Sequence, residues 1–123
     1  IVATTYAKLC KKEEKGTYLE PARKTFALYI GGMGAKSKNF YYNLACEYGY
    51  KDIAERVQDY YLSGNKKEAE ELLPDEFIED LTLVGTEDEI EKKLDTWKKT
   101  SVTELSISSP VDIETIKFIK NIL

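Results

Sequence analysis

The chain has 123 residues, 42% apolar and 33% charged, which is enough for one compact domain with a modest core and is not typical of a disordered segment. Its 18 basic and 22 acidic residues give a net charge of −4, with the two signs interspersed. This pattern disfavours nucleic-acid binding, which needs a concentrated basic patch. No apolar stretch approaches the roughly 20 residues of a membrane span, so we expect a soluble protein that is not embedded in a membrane.

Catalytic groups are restricted by the absence of histidine and by the presence of only two cysteines. Without histidine, Ser–His and Cys–His catalytic arrangements are excluded. Cys10 and Cys46 are isolated from each other, which disfavours a zinc site, and we expect no bound metal. No secretory signal precedes them, so they are interpreted as buried free thiols in a reducing cytoplasm.

The first part of the chain, residues 2–34, is predicted to hold a strand and a helix. Residues 2–9 are rich in β-branched and apolar side chains, which favours a strand. Thr17 and Glu20 have the spacing of a capping box, and apolar residues then recur at helical intervals as far as Ile30. The helix is expected to end at residues 31–34, where three glycines occur and can adopt positive φ.

Helical patterns continue through the middle of the chain. An aromatic segment occupies residues 40–50, and helices are predicted over residues 53–61 and 66–73. Residues 77–81 indicate another helical turn or two, closing at Gly85.

The last third is predicted to be helix, strand and helix. Thr86 and Glu89 form a second capping box, followed by Ile90, Leu94 and Trp97 on one buried stripe. Residues 102–108 alternate with period two and indicate a strand. The sequence Ser-Pro-Val-Asp at residues 109–112 suggests that Ser109 caps the final helix and that Pro110 is its first residue.

Two strands separated by helices indicate a parallel crossover, because antiparallel neighbours need only a short turn. A parallel sheet must be covered on both faces, so two strands cannot form a stable one alone. The sequence therefore predicts further strands, supplied by a part of the chain before Ile1 or, less favoured, by a partner. The start at Ile1 rather than Met agrees with a chain whose true start has been cut away.

Six stretches follow one another along nearly the whole chain: FALYIGGMGAKSKNFY at residues 26–41, YGY at 48–50, VQDYYLSG at 57–64, LPDE at 73–76, LVGT at 83–86 and SVTEL at 101–105. Together, and in this order, they resemble the luciferase-like, F420-dependent oxidoreductases. A GGxG sequence alone would be weak evidence, whereas the ordered set is specific.

The resemblance implies an α/β fold, namely the C-terminal fragment of a (β/α)₈ TIM barrel that is mostly helical with two parallel strands. Residues 1–123 would be a single partial domain, with residues 2–9 as strand seven, residues 102–108 as strand eight and an enlarged helical connection between them. It also implies an enzyme that passes a hydride between coenzyme F420, or alternatively FMN, and a small-molecule substrate. The chain alone is expected to be inactive, and the full-length protein is expected to form a homodimer.

Two groups of residues are candidates for the cofactor site, while the catalytic residues stay unassigned because most of that site would lie in strands one to six. Backbone N–H groups of Gly31, Gly32 and Gly34 could approach the cofactor, although a simple helix end with a tight turn is the favoured alternative. Ser106 and Ser108 close the last strand, and barrel ligands bind at the carboxyl ends of strands. A plain strand end explains these serines equally well.

Two further alternatives concern the aromatic segment and the function as a whole. The aromatic residues at 40–50 could line a substrate entrance, but packing between helices is favoured. Instead of an enzyme fragment, the chain could be a small, mainly helical, non-catalytic interaction domain. Such a domain has no need of a strand at residues 102–108.

Overall fold

A computed structural model describes all residues, 1–123, as a mixed α/β chain of seven helices and four parallel strands. The chain divides into two compact units. The strand unit comprises residues 1–20 and 79–123, and the helical unit comprises residues 21–78. None of the helices is both long enough and apolar enough to pass through a membrane.

The strand unit contains two pairs of parallel strands. The strands are β1 Val2–Thr5, β2 Ala7–Leu9, β3 Leu83–Gly85 and β4 Glu104–Ile107. β1 pairs with β4 and β2 pairs with β3, all in parallel. The predicted parallel pairing of the extended segments near the two ends of the chain is therefore confirmed.

The prediction of one strand over residues 2–9 needs correction, because the extended segment divides at Tyr6. The carbonyl of Thr5 accepts from Ser108 N at 2.7 Å, whereas the carbonyl of Tyr6 accepts from Leu83 N at 2.8 Å. Successive residues of a strand direct their backbone groups to opposite edges. β4 and β3 therefore lie on opposite edges of the same extended segment.

The helical turn predicted at residues 77–81 was expected to close at Gly85, but residues 83–85 instead form the strand β3, which was not predicted. The strand has three residues, all of them buried. A buried run this short has no resolvable period, so its sequence cannot be distinguished from that of a buried helical turn.

The two helices after β3 cover one face of the strands. α6 spans Glu87–Lys98 and α7 spans Ile113–Ile122. Their apolar side chains join those of the strands in one cluster, whose buried members are Ala7, Leu83, Ile90, Leu94 and Ile119, with Leu9, Leu105, Ile107, Phe118 and Ile122 packed against it. Trp97, predicted to be in the core, is only half-buried.

The start of α7 also differs from the prediction. Its N-cap is Asp112, whose carboxylate accepts from Thr115 N at 2.8 Å, so neither Ser109 nor Pro110 begins the helix. Aspartate is a strong N-cap, and this carboxylate is also held by an ion pair with Lys8.

The capping box predicted at the start of α6 is confirmed. Thr86 Oγ1 accepts from Glu89 N at 3.4 Å, and Glu89 Oε2 accepts from Thr86 N at 3.0 Å. Both bonds satisfy N–H groups that have no partner within the helix.

Thr86→Ala is expected to lower the free energy of unfolding by about 1 kcal/mol, because it leaves one of these N–H groups without its acceptor. Urea unfolding monitored by circular dichroism measures the change. Thr96→Ala in the exposed part of the same helix is the control, and we expect it to be neutral or slightly stabilising because alanine has the higher helix propensity. Equal losses in both variants would contradict the capping role.

The helical unit is built from five helices. They are α1 Lys15–Gly32, α2 Phe40–Glu47, α3 Lys51–Leu62, α4 Lys66–Glu71 and α5 Asp75–Asp80, of which the first begins and the last ends in the strand unit. α1 ends in the glycine stretch as predicted, but it begins at Lys15 after a short 3₁₀ turn, so Thr17 and Glu20 do not cap it.

The aromatic segment forms α2. Asn39 caps this helix by accepting from Tyr42 N at 3.0 Å, and its amide donates to the carbonyls of Tyr29 and Ile30 at 2.9 and 2.8 Å. Asn39 is 1% exposed, so one buried side chain joins the end of α1 to the start of α2. An asparagine directly before the aromatic run was the local signal for this helix.

The favoured interpretation of the aromatic residues as packing between helices holds for part of the segment. Tyr41 lies against Tyr29 with ring centroids 4.7 Å apart, and Tyr50 meets Phe77 edge-on at 4.9 Å. Tyr41 is nevertheless 38% exposed, and Phe40 and Tyr48 are more exposed still. The segment thus contributes rings to packing between helices and also exposes aromatic surface.

Candidate functional site

β1 and β4 have one face that packs against the apolar cluster and one face that is open. Leu105 and Ile107 pack against the apolar cluster, whereas the alternate residues, Glu104 and Ser106, are exposed. In the parallel register Glu104 pairs with Val2 and Ser106 with Thr4, and these partners are exposed as well. We call the surface formed by Val2, Thr4, Glu104 and Ser106 the open face. Parallel sheets are normally covered on both faces, so this exposure is unusual.

The two serines predicted as site residues lie near the carboxyl end of β4. Ser106 is exposed on the open face, and Ser108, two residues further along, is half-buried just beyond the strand. Both residues have the parity that directs side chains away from the apolar cluster. The structure thus brings these two hydroxyls to one side of the strands, at their carboxyl ends.

The predicted glycines lie in the helical unit, where two of them serve close helix packing. A Cβ on Gly31 would lie 2.4 Å from the Cβ of Tyr61, and a Cβ on Gly32 would lie 2.7 Å from the ring of the same tyrosine. Gly34 has φ of +135°, a conformation that favours glycine in the turn after α1. Helix packing accounts for Gly31 and Gly32, and the turn after α1 accounts for Gly34. Cofactor contact through these residues stays a prediction.

A polar group that the sequence did not indicate lies at the carboxyl end of β2. The ammonium of Lys8 forms an ion pair with the carboxylate of Asp112 and lies 4.8 Å from the ring centroid of Tyr18. Leu9 N donates to Thr115 Oγ1 at 3.0 Å, which fastens the end of the strand to the first turn of α7. Lys8 faces away from the apolar cluster, because its neighbours Ala7 and Leu9 contact that cluster. Its register partner Val84 is buried, so Lys8 is not part of the open face.

Both members of the ion pair stay charged over a wide pH range. The hydrogen bond from Lys8 has the largest effect on Asp112. Together with the hydrogen bonds from Thr115, it lowers the pKa of Asp112 to about 2 from an ordinary value of 3.8. The same bond to Asp112 raises the pKa of Lys8. Because Lys8 and Asp112 each stabilise the charged form of the other, the ammonium stays charged and beside the carboxylate.

We expect the contribution of Asp112 to stability to be lost in acid. Its pKa is depressed in the folded state, so the contribution is complete above about pH 4 and disappears as the pH falls through 2. Because the side chain is 38% exposed, solvent screening limits the contribution to about 1 kcal/mol. The measurement is the difference in free energy of unfolding between wild type and Asp112→Asn, which retains a capping oxygen. A difference that stays constant from pH 5 to pH 2 would contradict this assignment.

The cysteines are both free, as predicted, with Cys10 buried and Cys46 half-buried. Burial raises the pKa of the Cys10 thiol, which makes it a poor nucleophile. No group of three or more cysteine, aspartate and glutamate side chains is arranged to hold a metal ion.

Comparisons with known proteins agree with the sequence pattern. The family model of the luciferase-like monooxygenases matches residues 17–104. A Mycobacterium tuberculosis protein named as a candidate coenzyme F420-dependent oxidoreductase is 36% identical over 83 residues, which cover 68% of this chain and 24% of that relative. The match thus spans about a quarter of the relative's length. No solved structure matches the chain significantly. Since the family model covers well over half of the residues, this chain belongs to the luciferase-like monooxygenase family.

Proposed function

We propose that this chain is the C-terminal part of an F420-dependent oxidoreductase that transfers a hydride between the deazaflavin and a small organic substrate, with FMN as the alternative cofactor. The observation that carries the proposal is the similarity to the mycobacterial relative together with the family match. Because similarity to the relative covers a quarter of its length, the activity is that of a longer protein containing this chain.

The strands support the idea of a partial barrel. Each pair is a two-stranded parallel sheet, and β1 has no partner strand on the edge opposite β4. The open face adds a second uncovered surface. Further parallel strands would cover both, as in a (β/α)₈ barrel in which residues 2–9 form strand seven and residues 102–108 form strand eight. On this proposal residues 1–123 are a single partial domain.

The residues present fit a cofactor at the carboxyl ends of the strands. Ser106 and Ser108 are small and leave room beside the strand end, and their hydroxyls can donate to ring or phosphate oxygens. Cofactor contacts are also proposed for Gly31, Gly32 and Gly34, and only the backbone N–H groups of these residues could make them. The cofactor supplies the hydride chemistry, while the protein orients it and excludes water.

The alternative of a non-catalytic helical interaction domain is not favoured. Such a module needs no parallel strands, yet β1 and β4 pair in register over four residues. We further propose that the longer protein is cytoplasmic. We also propose that it forms a homodimer, and analytical ultracentrifugation would test this oligomeric state.

The test compares this chain with the longer protein by titrating F420 and FMN and following their fluorescence. We expect the longer protein to bind F420 in the micromolar range or tighter, and residues 1–123 alone to bind weakly or not at all. Micromolar binding by the chain alone would contradict the partial-barrel proposal. Failure of the longer protein to bind either cofactor would contradict the proposed function.

A further inference from the structure

One charged side chain at the candidate site, that of Lys8, is not among the predicted serines and glycines. Lys8 lies near the carboxyl end of β2, beyond the part of the extended segment that carries the open face. The register pairs Thr5 with Ile107, so Ser108 falls beside Tyr6, and Lys8 lies one pleat further toward the carboxyl end. Lys8 and the two serines therefore lie near the same end of the parallel strands.

The ammonium of Lys8 is held on two sides and accessible elsewhere. Asp112 accepts one of its hydrogens and the ring of Tyr18 lies beneath it, yet 26% of the side chain is exposed. An ammonium has three donors, so at least one N–H remains for a further acceptor. Because Asp112 is itself fixed by Thr115 N, the direction of that donor is constrained.

The charges around Lys8 indicate the kind of acceptor. Asp112 neutralises the ammonium, and Glu114 in the first turn of α7 adds a further negative charge that acts on it. The carboxylates near the ammonium outnumber it two to one, which disfavours a phosphate or carboxylate of a ligand. An uncharged carbonyl or hydroxyl oxygen can accept from the ammonium without this repulsion.

We propose that Lys8 binds the cofactor by donating a hydrogen bond to an uncharged oxygen of its ring or ribityl chain, and that Asp112 positions the ammonium for this contact. The inference rests on the proposed function. It assigns a ligand-binding role to Lys8 and a positioning role to Asp112.

The experiment uses the longer protein and two probes: F420, and the same deazaflavin with its ribityl chain but without the phosphate. Lys8→Met is expected to weaken binding of both probes by a similar factor, about 10-fold or more, since each loses the same charge-assisted hydrogen bond. Lys8→Arg should recover part of the affinity. Lys117→Met, which removes an exposed cation from α7, is the matched control and should leave both affinities unchanged.

Asp112→Asn supplies a second readout that loss of structure would not give. It keeps the helix cap but frees the ammonium, so we expect a smaller loss of affinity, about 3-fold and equal for the two probes at physiological ionic strength. Tighter binding of F420 alone would show that Lys8 meets the phosphate and would overturn the proposal.

The remaining outcomes separate this inference from the proposed function. If wild-type protein binds neither probe, the proposed function fails. If wild type binds both and Lys8→Met binds them equally well, only the role of Lys8 is contradicted. A Lys8→Met variant that loses affinity only together with a large fall in melting temperature, and is not rescued by arginine, also contradicts the ligand contact.

Discussion

Gly31→Ala is expected to lower the free energy of unfolding by about 2–3 kcal/mol, although it adds a single methyl group. That methyl would lie 2.4 Å from the Cβ of Tyr61 and 2.7 Å from its Cγ. A Cβ is fixed to its backbone and cannot rotate away, so α1 and α3 would have to move apart. Urea unfolding of the variant measures the cost.

The control for this prediction is another glycine in the same helix. Gly16 has no atom within 4 Å of the position that a Cβ would occupy. Gly16→Ala is therefore expected to be stabilising, by up to about 1 kcal/mol, because alanine has the higher helix propensity. If Gly31→Ala were also neutral or stabilising, the close approach of the two helices would be wrong.

Features that depend on neighbouring residues could be predicted from the sequence. The capping box of Thr86 and Glu89 lies within four residues, and the apolar stripe of α6 has a full helical period. The alternation in residues 102–108 likewise predicted β4, although the strand is shorter than the pattern. In each case the signal and the structure span the same few residues.

Features that depend on distant residues could not be predicted in this way. Lys8 and Asp112 are 104 positions apart, and no local pattern links them. The packing role of Gly31 depends on Tyr61 in another helix. The site residues were predicted from glycine content and from the position of a strand end. These signals identify turns and strand ends, but they do not identify which side chain from a distant part of the chain lies against them.

Ile90→Ala is expected to lower the free energy of unfolding by about 3–4 kcal/mol. Ile90 is fully buried and lies in one cluster with Leu83, Leu94 and Ile119, contributed by a strand and two helices. Removing three methyl and methylene carbons there leaves a cavity whose walls belong to different elements and cannot close together. The loss should therefore exceed the transfer free energy of the deleted groups.

Two further variants on α6 determine whether burial or side-chain size controls this cost. Trp97 is larger than Ile90 but only half-buried, so Trp97→Ala should cost less, about 1–2 kcal/mol. Glu91 is exposed next to Ile90, and Glu91→Ala should change stability by no more than about 0.5 kcal/mol. A larger loss for Trp97→Ala than for Ile90→Ala would show that α6 packs through the tryptophan. The helix would then have to be rotated from its observed orientation, and Ile90 would no longer lie against β3.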